Sequence, residues 1–322
     1  MTFGIWLRRN QLISPKQLRL PASVEFITRC GFVARRRFVG RSAATVSPKI
    51  RLHRNPATPR ELGAALNSLG IKPGDDLLVH SNADSVESLG WTASDMIDFL
   101  LDYLGSSGTL LMPSHPKLRV EGKQRTYKVR RSPSTVGMMT ELFRRRTEVV
   151  RSRFPFSAAA GFGARANEYL DDHVNSFAPH DRHSPYAILA QAGGKSLCIG
   201  CELDRSTVLH VAEDTLRDHL EIDGFHQPQS VRVVDGREER IVVAHTRAPW
   251  LWWYLTLSRW TSDMYRHKIA KDTSINGITL RTLSAQRVVS FMQYEIKAGR
   301  SLYPLAKANR WLKLQEPRLE AA

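Results

Sequence analysis

Cysteine is scarce in this sequence: Cys30, Cys198 and Cys201 are the only three in 322 residues. An odd, sparse set excludes a disulfide framework and points to a reduced, cytosolic setting. Long hydrophobic runs are missing as well. The longest apolar-rich stretch, around Trp250 to Leu257, falls far short of the ~20 residues that span a bilayer. The opening residues MTFGIWLRRN place their charge after a short apolar stretch, the reverse of a secretory signal. Acids are nearly absent from the first 60 positions, where 13 Lys and Arg face one carboxylate, Glu25. That segment carries +12 of the net +16, which leaves +4 for the other 262 residues. The strongly basic balance therefore belongs to an N-terminal arm, and the rest is only mildly basic.

Residues 1–54 lack sustained periodicity and are rich in Arg and Ser. They read as a poorly ordered arm with one short amphipathic helix near 23–38. Two roles fit: a solvated tail, or a peripheral anchor on an anionic membrane surface, where each basic residue adds ~1 kcal/mol. A nucleic-acid partner is not expected, because the aromatics do not alternate with the arginines as in a stacking platform. The Arg-rich, acid-poor composition also resembles a transit peptide.

Regular patterning begins near Thr58. TPRELGAALNSLGI has a Thr cap, Pro at the first helical position and a closing glycine. LLVHS reads as a short buried strand, TASDMIDFLLDYLGSSG as a capped helix, and TLLMP as the next strand. Strand, helix, strand is the grammar of a parallel βαβ unit. Further on, SPSTVGMMTELFRRR predicts a helix starting near Ser132 or Ser134. SPYAILAQAGG predicts another, feeding the strand KSLCIG, and TVLHVAEDTLRDHL a third. VRVVDGREERIVVAHT predicts a hairpin turned at Asp235-Gly236, and a last helix is expected near 284–298. The expected fold class is α/β: a mixed, largely parallel sheet with helices on both faces, an α/β/α sandwich, plus a C-terminal β-containing region. The expected division is an arm, 1–54, and one domain, 55–322, with an α/β core (55–228) and a C-terminal subregion (229–322).

Four segments carry candidate chemistry. His80 and Ser81 end a strand, where open α/β sheets bind ligands. Ser134, Thr135 and Gly137 mark a glycine-containing helix start with Arg144, Arg145, Arg146, Arg151 and Arg153 nearby. That composition suits a phosphorylated cofactor, though some of these charges form a solvated face. HDRHSPYAILA begins a helix at Ser184-Pro185. In CELDRSTVLHVAED, Asp204 and Thr207 stand at a loop-to-helix junction. His210 and Glu213 share one helix face at i and i+3, and a carboxylate neighbour orients an imidazole for proton transfer. A lone helical His is ordinarily structural; this pairing favours function. Cys198 and Cys201 form a CxxC in an apolar strand running into a glycine. They read as buried core thiols, and no metal is expected.

Taken in order, LGIKPGDDLLVHS, LGSSGTLLMPS, SPSTVGMMTELFRRR, VVRS–P–S–A, HSP, GGKSLCIG and LDRSTVLHVAE resemble the aminoglycoside 3-N-acetyltransferase family. The likeness covers about residues 57–222 and, more faintly, the region to about 305. The resemblance implies an α/β sandwich, acetyl-CoA (coenzyme A) as cofactor and direct acetyl transfer to an amine. It implies His210 as general base oriented by Glu213, with Asp204 and Thr207 at the same cleft. His80, Ser81, Ser134, Thr135, Gly137, Arg151 and Ser152 would line the cofactor end.

Two features depart from that pattern. The family's antibiotic-modifying members usually have His before the proline of the RS–P segment; here the residue is Phe154, and the following spacing is about one residue off. Aminoglycosides are polycations, and their clefts should be acidic. A +4 core with a basic strip at 117–153 leads instead to the expectation of a neutral or anionic acceptor: an amino sugar of a nucleotide-linked, lipid-linked or surface glycan. WLWWYLTLSRW, with Trp250, Trp252, Trp253, Tyr254 and Trp260, suits sugar stacking or a membrane interface, with about half of these rings expected in the core. The alternatives are an aminoglycoside antibiotic 3-N-acetyltransferase, and an inactive family member that binds coenzyme A or a glycan.

Overall fold

A computed structural model of the chain describes residues 55–122, 124–219, 228–246 and 258–298. The helix expected near 23–38 and the aromatics Trp250, Trp252, Trp253 and Tyr254 lie outside the described residues.

The expected caps form. Thr58 accepts from the Glu61 N–H, and Glu61 reaches back to the Thr58 backbone, opening α1 (Pro59–Ser68). β1 (Asp76–Ser81) follows, then α2 (Ala83–Ser88), a short helix capped by Asn82 that no periodicity announces. The Thr92–Asp95 capping box starts α3 (Ala93–Leu104), and β2 (Thr109–Pro113) completes the unit. The polar, basic stretch after it is partly strand. It holds β3 (Arg119–Glu121) and β4 (Gln124–Lys128).

The helix expected from Ser132 or Ser134 starts later, as α4 (Met138–Phe143), with Gly137 at its cap. Ser134 is kept extended by bridging to Pro116, while its N–H donates to Glu141. β5 (Val150–Arg151), β6 (Ala159–Gly163), α5 (Ala166–Leu170), α6 (Pro185–Gln191) and β7 (Lys195–Ile199) come next. The third expected helix is broken. A 3₁₀ turn, Thr207–His210, runs into α7 (Val211–Thr215). The hairpin is β8 (Gln229–Asp235) and β9 (Glu238–Ala244), turned at Gly236 as expected. α8 (Ser258–Arg266), β10 (Ala270–Ile275), β11 (Ile278–Ser284) and α9 (Ala285–Lys297) close the described chain.

Seven strands form the main sheet in the order β10-β11-β7-β1-β2-β6-β5. Parallel pairing is concentrated in the central trio β7, β1 and β2, and the flanking pairs are antiparallel. Alternation along the central strands feeds two cores, one per face. Leu77, Val79, Leu110, Met112, Leu197 and Ile199 pack against α1, α3 and α4. Leu78, Leu111 and Cys198 pack against α5, α6, α7, α8 and α9, a core that includes the buried Trp260. The α/β/α sandwich is thus built on period-two strands. A second sheet, β3-β4-β8-β9, pairs β4 with β8, so strands on both sides of residue 228 share each sheet.

Candidate active site

His80 is on the same face of β1 as Leu78 by strand parity, at the strand's carboxyl end. A cleft of about 890 Å³ opens there, lined by His80, Ser81, Thr135, Asp204, Thr207 and His210 among others. Gly200, at φ 63, turns the chain out of β7, and a Cβ there would fall 2.1 Å from Ser85. This tight turn carries Cys201, Asp204 and Arg205 to the cleft wall. It also corrects the reading of the CxxC. Cys198 is a buried core thiol, but Cys201 lies past the strand's alternation and lines the cleft. The hydrogen bond from Cys198 holds the Cys201 thiol below its usual range, and raises that of Cys198.

His210 is buried at the junction of the 3₁₀ turn and α7. Its Nδ1 lies 2.9 Å from Glu213 Oε2. A carboxylate at Nδ1 fixes the tautomer with the proton on Nδ1 and the lone pair on Nε2. His80 Nε2 accepts from the Thr207 N–H at 3.2 Å and lies 3.3 Å from Thr207 Oγ1, which ties the 3₁₀ turn to the end of β1.

Of the remaining residues expected at the cofactor end, Ser134, Gly137, Arg151 and Ser152 are not among the cleft lining. Arg151 is buried, and its guanidinium donates to the carbonyls of Ser114 (2.6 and 3.2 Å), Val129 (3.0 Å) and Ser132 (2.6 Å). Ser152 Oγ accepts from the Ala159 N–H and lies 2.9 Å from His173 Nδ1. Both residues tie β5 to the walls around it. Thr135 lines the cleft and also holds His115 in place, its N–H donating to the His115 carbonyl at 2.8 Å.

Several cations of the basic strip are engaged within the structure. Arg144 and Arg145 pair with Glu141, and Arg146 with Asp98. The charged Lys, Arg, Asp and Glu side chains lining the cleft, among the described residues, are Asp204 and Arg205, one of each sign. Phe154 faces away from the cleft, buried and stacked on His173 with ring centroids 4.7 Å apart.

Sequence reasoning missed Ser157, His115, His180 and Asp214. Ser157 Oγ lies 3.0 Å from His115 Nε2 and 2.8 Å from His180 Nε2. His180 Nδ1 lies 3.2 Å from Asp214 Oδ2. No periodicity links four loop and helix residues spread over a hundred positions. The one signal available was two histidines, His180 and His183, crowded before a helix cap.

Three buried histidines are held neutral. Burial, with His115 nearby, lowers His80 to about 3. Burial, then His210 and Arg151, lowers His115 to about 4. Burial lowers His173 to about 3, only partly offset by its hydrogen bond to the Pro179 carbonyl. Each imidazole takes up its proton in the unfolded chain near pH 6.5, before the folded chain does. This stability is therefore complete above about pH 6.5 and is lost as pH falls toward 4. Three such groups acting together give a slope approaching ~4 kcal/mol per pH unit. Urea midpoints between pH 7 and 4.5 should track this loss, and His173→Phe should flatten it by about a third.

A mixed sheet flanked by helices, with a carboxylate-held imidazole beyond its central strands, defines an α/β sandwich with a candidate proton-transfer site. A sequence model of the aminoglycoside 3-N-acetyltransferase family matches residues 78–297. The chain belongs to that family. Aminoglycoside N(3)-acetyltransferase IV of Salmonella sp is 37% identical over 155 residues, 48% of this chain and 57% of that protein. Aminoglycoside N(3)-acetyltransferase VII of Streptomyces paromomycinus is 30% identical over 175 residues, 49% of this chain and 60% of that protein. The matched region thus spans less than two thirds of either relative. Among solved structures, AAC(3)-IVa as apoenzyme superposes with a TM-score of 0.62 at 25% identity, covering 76% of this chain and 90% of that one. AAC-IIIb in binary complex with CoASH gives 0.64 at 22% identity, covering 77% and 98%, a likeness of fold. No helix among the described residues is long and apolar enough to cross a membrane.

Proposed function

We propose that the chain transfers an acetyl group from acetyl-CoA to the 3-amino group of an aminoglycoside. The observation that carries this reading is His210 at the wall of the cleft, held by the buried Glu213, in a chain of this family. A protonated amine cannot attack a thioester. His210, oriented through Nδ1 by Glu213, takes the amine proton on Nε2 as the nitrogen attacks. Bound acetyl-CoA supplies an activated acetyl thioester. The cleft suits such a molecule: Arg205 offers a guanidinium for phosphate, and Leu118, Val136, Pro155 and Phe156 offer an apolar wall for its chain.

The relatives' names favour the antibiotic acceptor over the glycan amine expected from charge. The ion pairs of Arg144, Arg145 and Arg146 and the burial of Arg151 against carbonyls remove much of the electrostatic objection, since these cations do not face the cleft. Free-thiol release should be followed with apramycin, gentamicin, sisomicin, simple amino sugars and sugar nucleotides, and the acetylated amine located by NMR. Turnover at the 3-amino group of an aminoglycoside is expected. Turnover confined to a sugar nucleotide or glycan amine would replace this acceptor with the glycan one.

A further inference from the structure

The cleft holds a second hydrogen-bonded array beside the His210–Glu213 pair. Ser157 lines it with φ 59, a left-handed backbone that a non-glycine residue adopts at a cost of order 1–3 kcal/mol. Its Oγ lies 2.8 Å from His180 Nε2, and His180 Nδ1 lies 3.2 Å from Asp214 Oδ2. The same carboxylate oxygen accepts the His180 backbone N–H at 2.8 Å. His180 and Asp214 are both buried. Tyr186 donates its hydroxyl to the Ser157 carbonyl at 2.9 Å and so fixes the strained turn.

Hydroxyl, imidazole through Nε2, then carboxylate on Nδ1 is the order that activates a serine, and it is recognised by geometry rather than chain position. Asp214 holds the proton on Nδ1, leaving the Nε2 lone pair facing Ser157 Oγ. With the serine proton donated to His180, His115 Nε2 meets Oγ as an N–H donor at 3.0 Å.

We propose that Ser157 is an acyl-accepting nucleophile with His180 as its base and Asp214 as a positioning residue, so that the chain also hydrolyses short activated acyl esters or thioesters. The proposal rests on the reading above only in expecting an acyl thioester to enter the cleft. Ser157 Oγ attacks the acyl carbonyl carbon and passes its proton to His180 Nε2. The carbon–sulfur or carbon–oxygen bond to the leaving group breaks, and the leaving group takes the proton from His180. Water then attacks the acyl-Ser157 ester and gives a proton to His180. The carboxylic acid departs as Ser157 Oγ recovers that proton. The His180 and His210 rings are 5.3 Å apart between centroids, so amine transfer and hydrolysis share one space.

The test uses the full chain with p-nitrophenyl acetate and, separately, a fluorophosphonate. It reads p-nitrophenolate release, intact mass and the modified peptide. One acyl or phosphonyl group on the peptide carrying Ser157 is expected, with a burst of p-nitrophenolate. Ser157→Ala should lose both, as should Ser157→Gly, whose backbone accepts φ 59 without strain. His180→Ala should slow acylation by ~10²-fold or more. Asp214→Asn should slow it and move its pH profile, which a purely structural carboxylate would not. His210→Ala should lose amine transfer yet keep the Ser157 adduct. A wild-type chain that shows a thermal shift with coenzyme A but gives no Ser157 adduct with either reagent overturns the proposal. So does acylation at an unchanged rate in His180→Ala. Failure to acetylate any aminoglycoside, with the Ser157 adduct present, would instead overturn the acceptor reading alone.

Discussion

His210→Ala is expected to lower acetyl transfer to an aminoglycoside by ~10²–10⁴-fold, with coenzyme A binding retained. The imidazole is the member of the pair that lines the cleft and can meet the amine's proton, and Glu213, 2.9 Å away, serves by orienting it. Glu213→Gln should therefore cost less than His210→Ala while lowering kcat rather than raising KM for acetyl-CoA. Single-turnover rates with saturating acetyl-CoA, together with a thermal shift for coenzyme A, make the measurement. A variant that turns over within about tenfold of wild type would remove His210 as the base, a barrier change of only ~1.4 kcal/mol. Because His210 is itself buried at the end of the 3₁₀ turn, an unfolded variant must be separated from an inactive one. His210→Gln keeps hydrogen-bonding capacity near Glu213 without the basic nitrogen, and the same loss is expected for it.

The sequence made legible those parts of the fold whose cause is local. Thr58, Thr92 and Ser184 cap their helices because each hydroxyl reaches a backbone N–H three residues on. The central strands were legible because short apolar runs lie between caps and glycines. The hairpin at Asp235-Gly236 was legible from its turn chemistry. β3 and β4 were not, because RVE and QRTYK are polar strands: β3 pairs with β4, and β4 with β8, a hundred residues away. β6 was hidden in Ala159–Gly163, where small residues fit beneath Leu111 and Leu170 instead of forming an apolar run of their own.

The candidate site divides along the same line. His210 and Glu213 stood out because i and i+3 is a helical spacing. Ser157, His115 and His180 did not, because only tertiary packing brings the two imidazoles to 3.0 and 2.8 Å from the Ser157 hydroxyl. Phe154 looked like a damaged acceptor site because the family pattern places His there. In the fold this position packs on His173, outside the cleft.

Arg151 gives the sharpest contrast between sequence and structure, and its replacement carries the second large effect. Composition and resemblance place it against a phosphate. The fold surrounds it with the carbonyls of Ser114, Val129 and Ser132 and sets it 5.2 Å from the Tyr127 ring centroid. A buried cation with several charge-assisted hydrogen bonds is costly to place and more costly to remove, since its acceptors are left dry. Arg151→Ala should therefore destabilise the chain by ~3–5 kcal/mol in urea unfolding. Arg151→Lys keeps the charge but loses the planar fork that reaches separate carbonyls, so it should recover only part of that loss. Coenzyme A affinity of the folded fraction should be unchanged in both. The opposite pattern, normal stability with a KM for acetyl-CoA raised tenfold or more, a change of ~1.4 kcal/mol, would return Arg151 to the cofactor. Stability with affinity intact would instead mean that β5 can be anchored without it, the Tyr127 hydroxyl's bond to the Ser152 carbonyl sufficing to tie this segment to the second sheet.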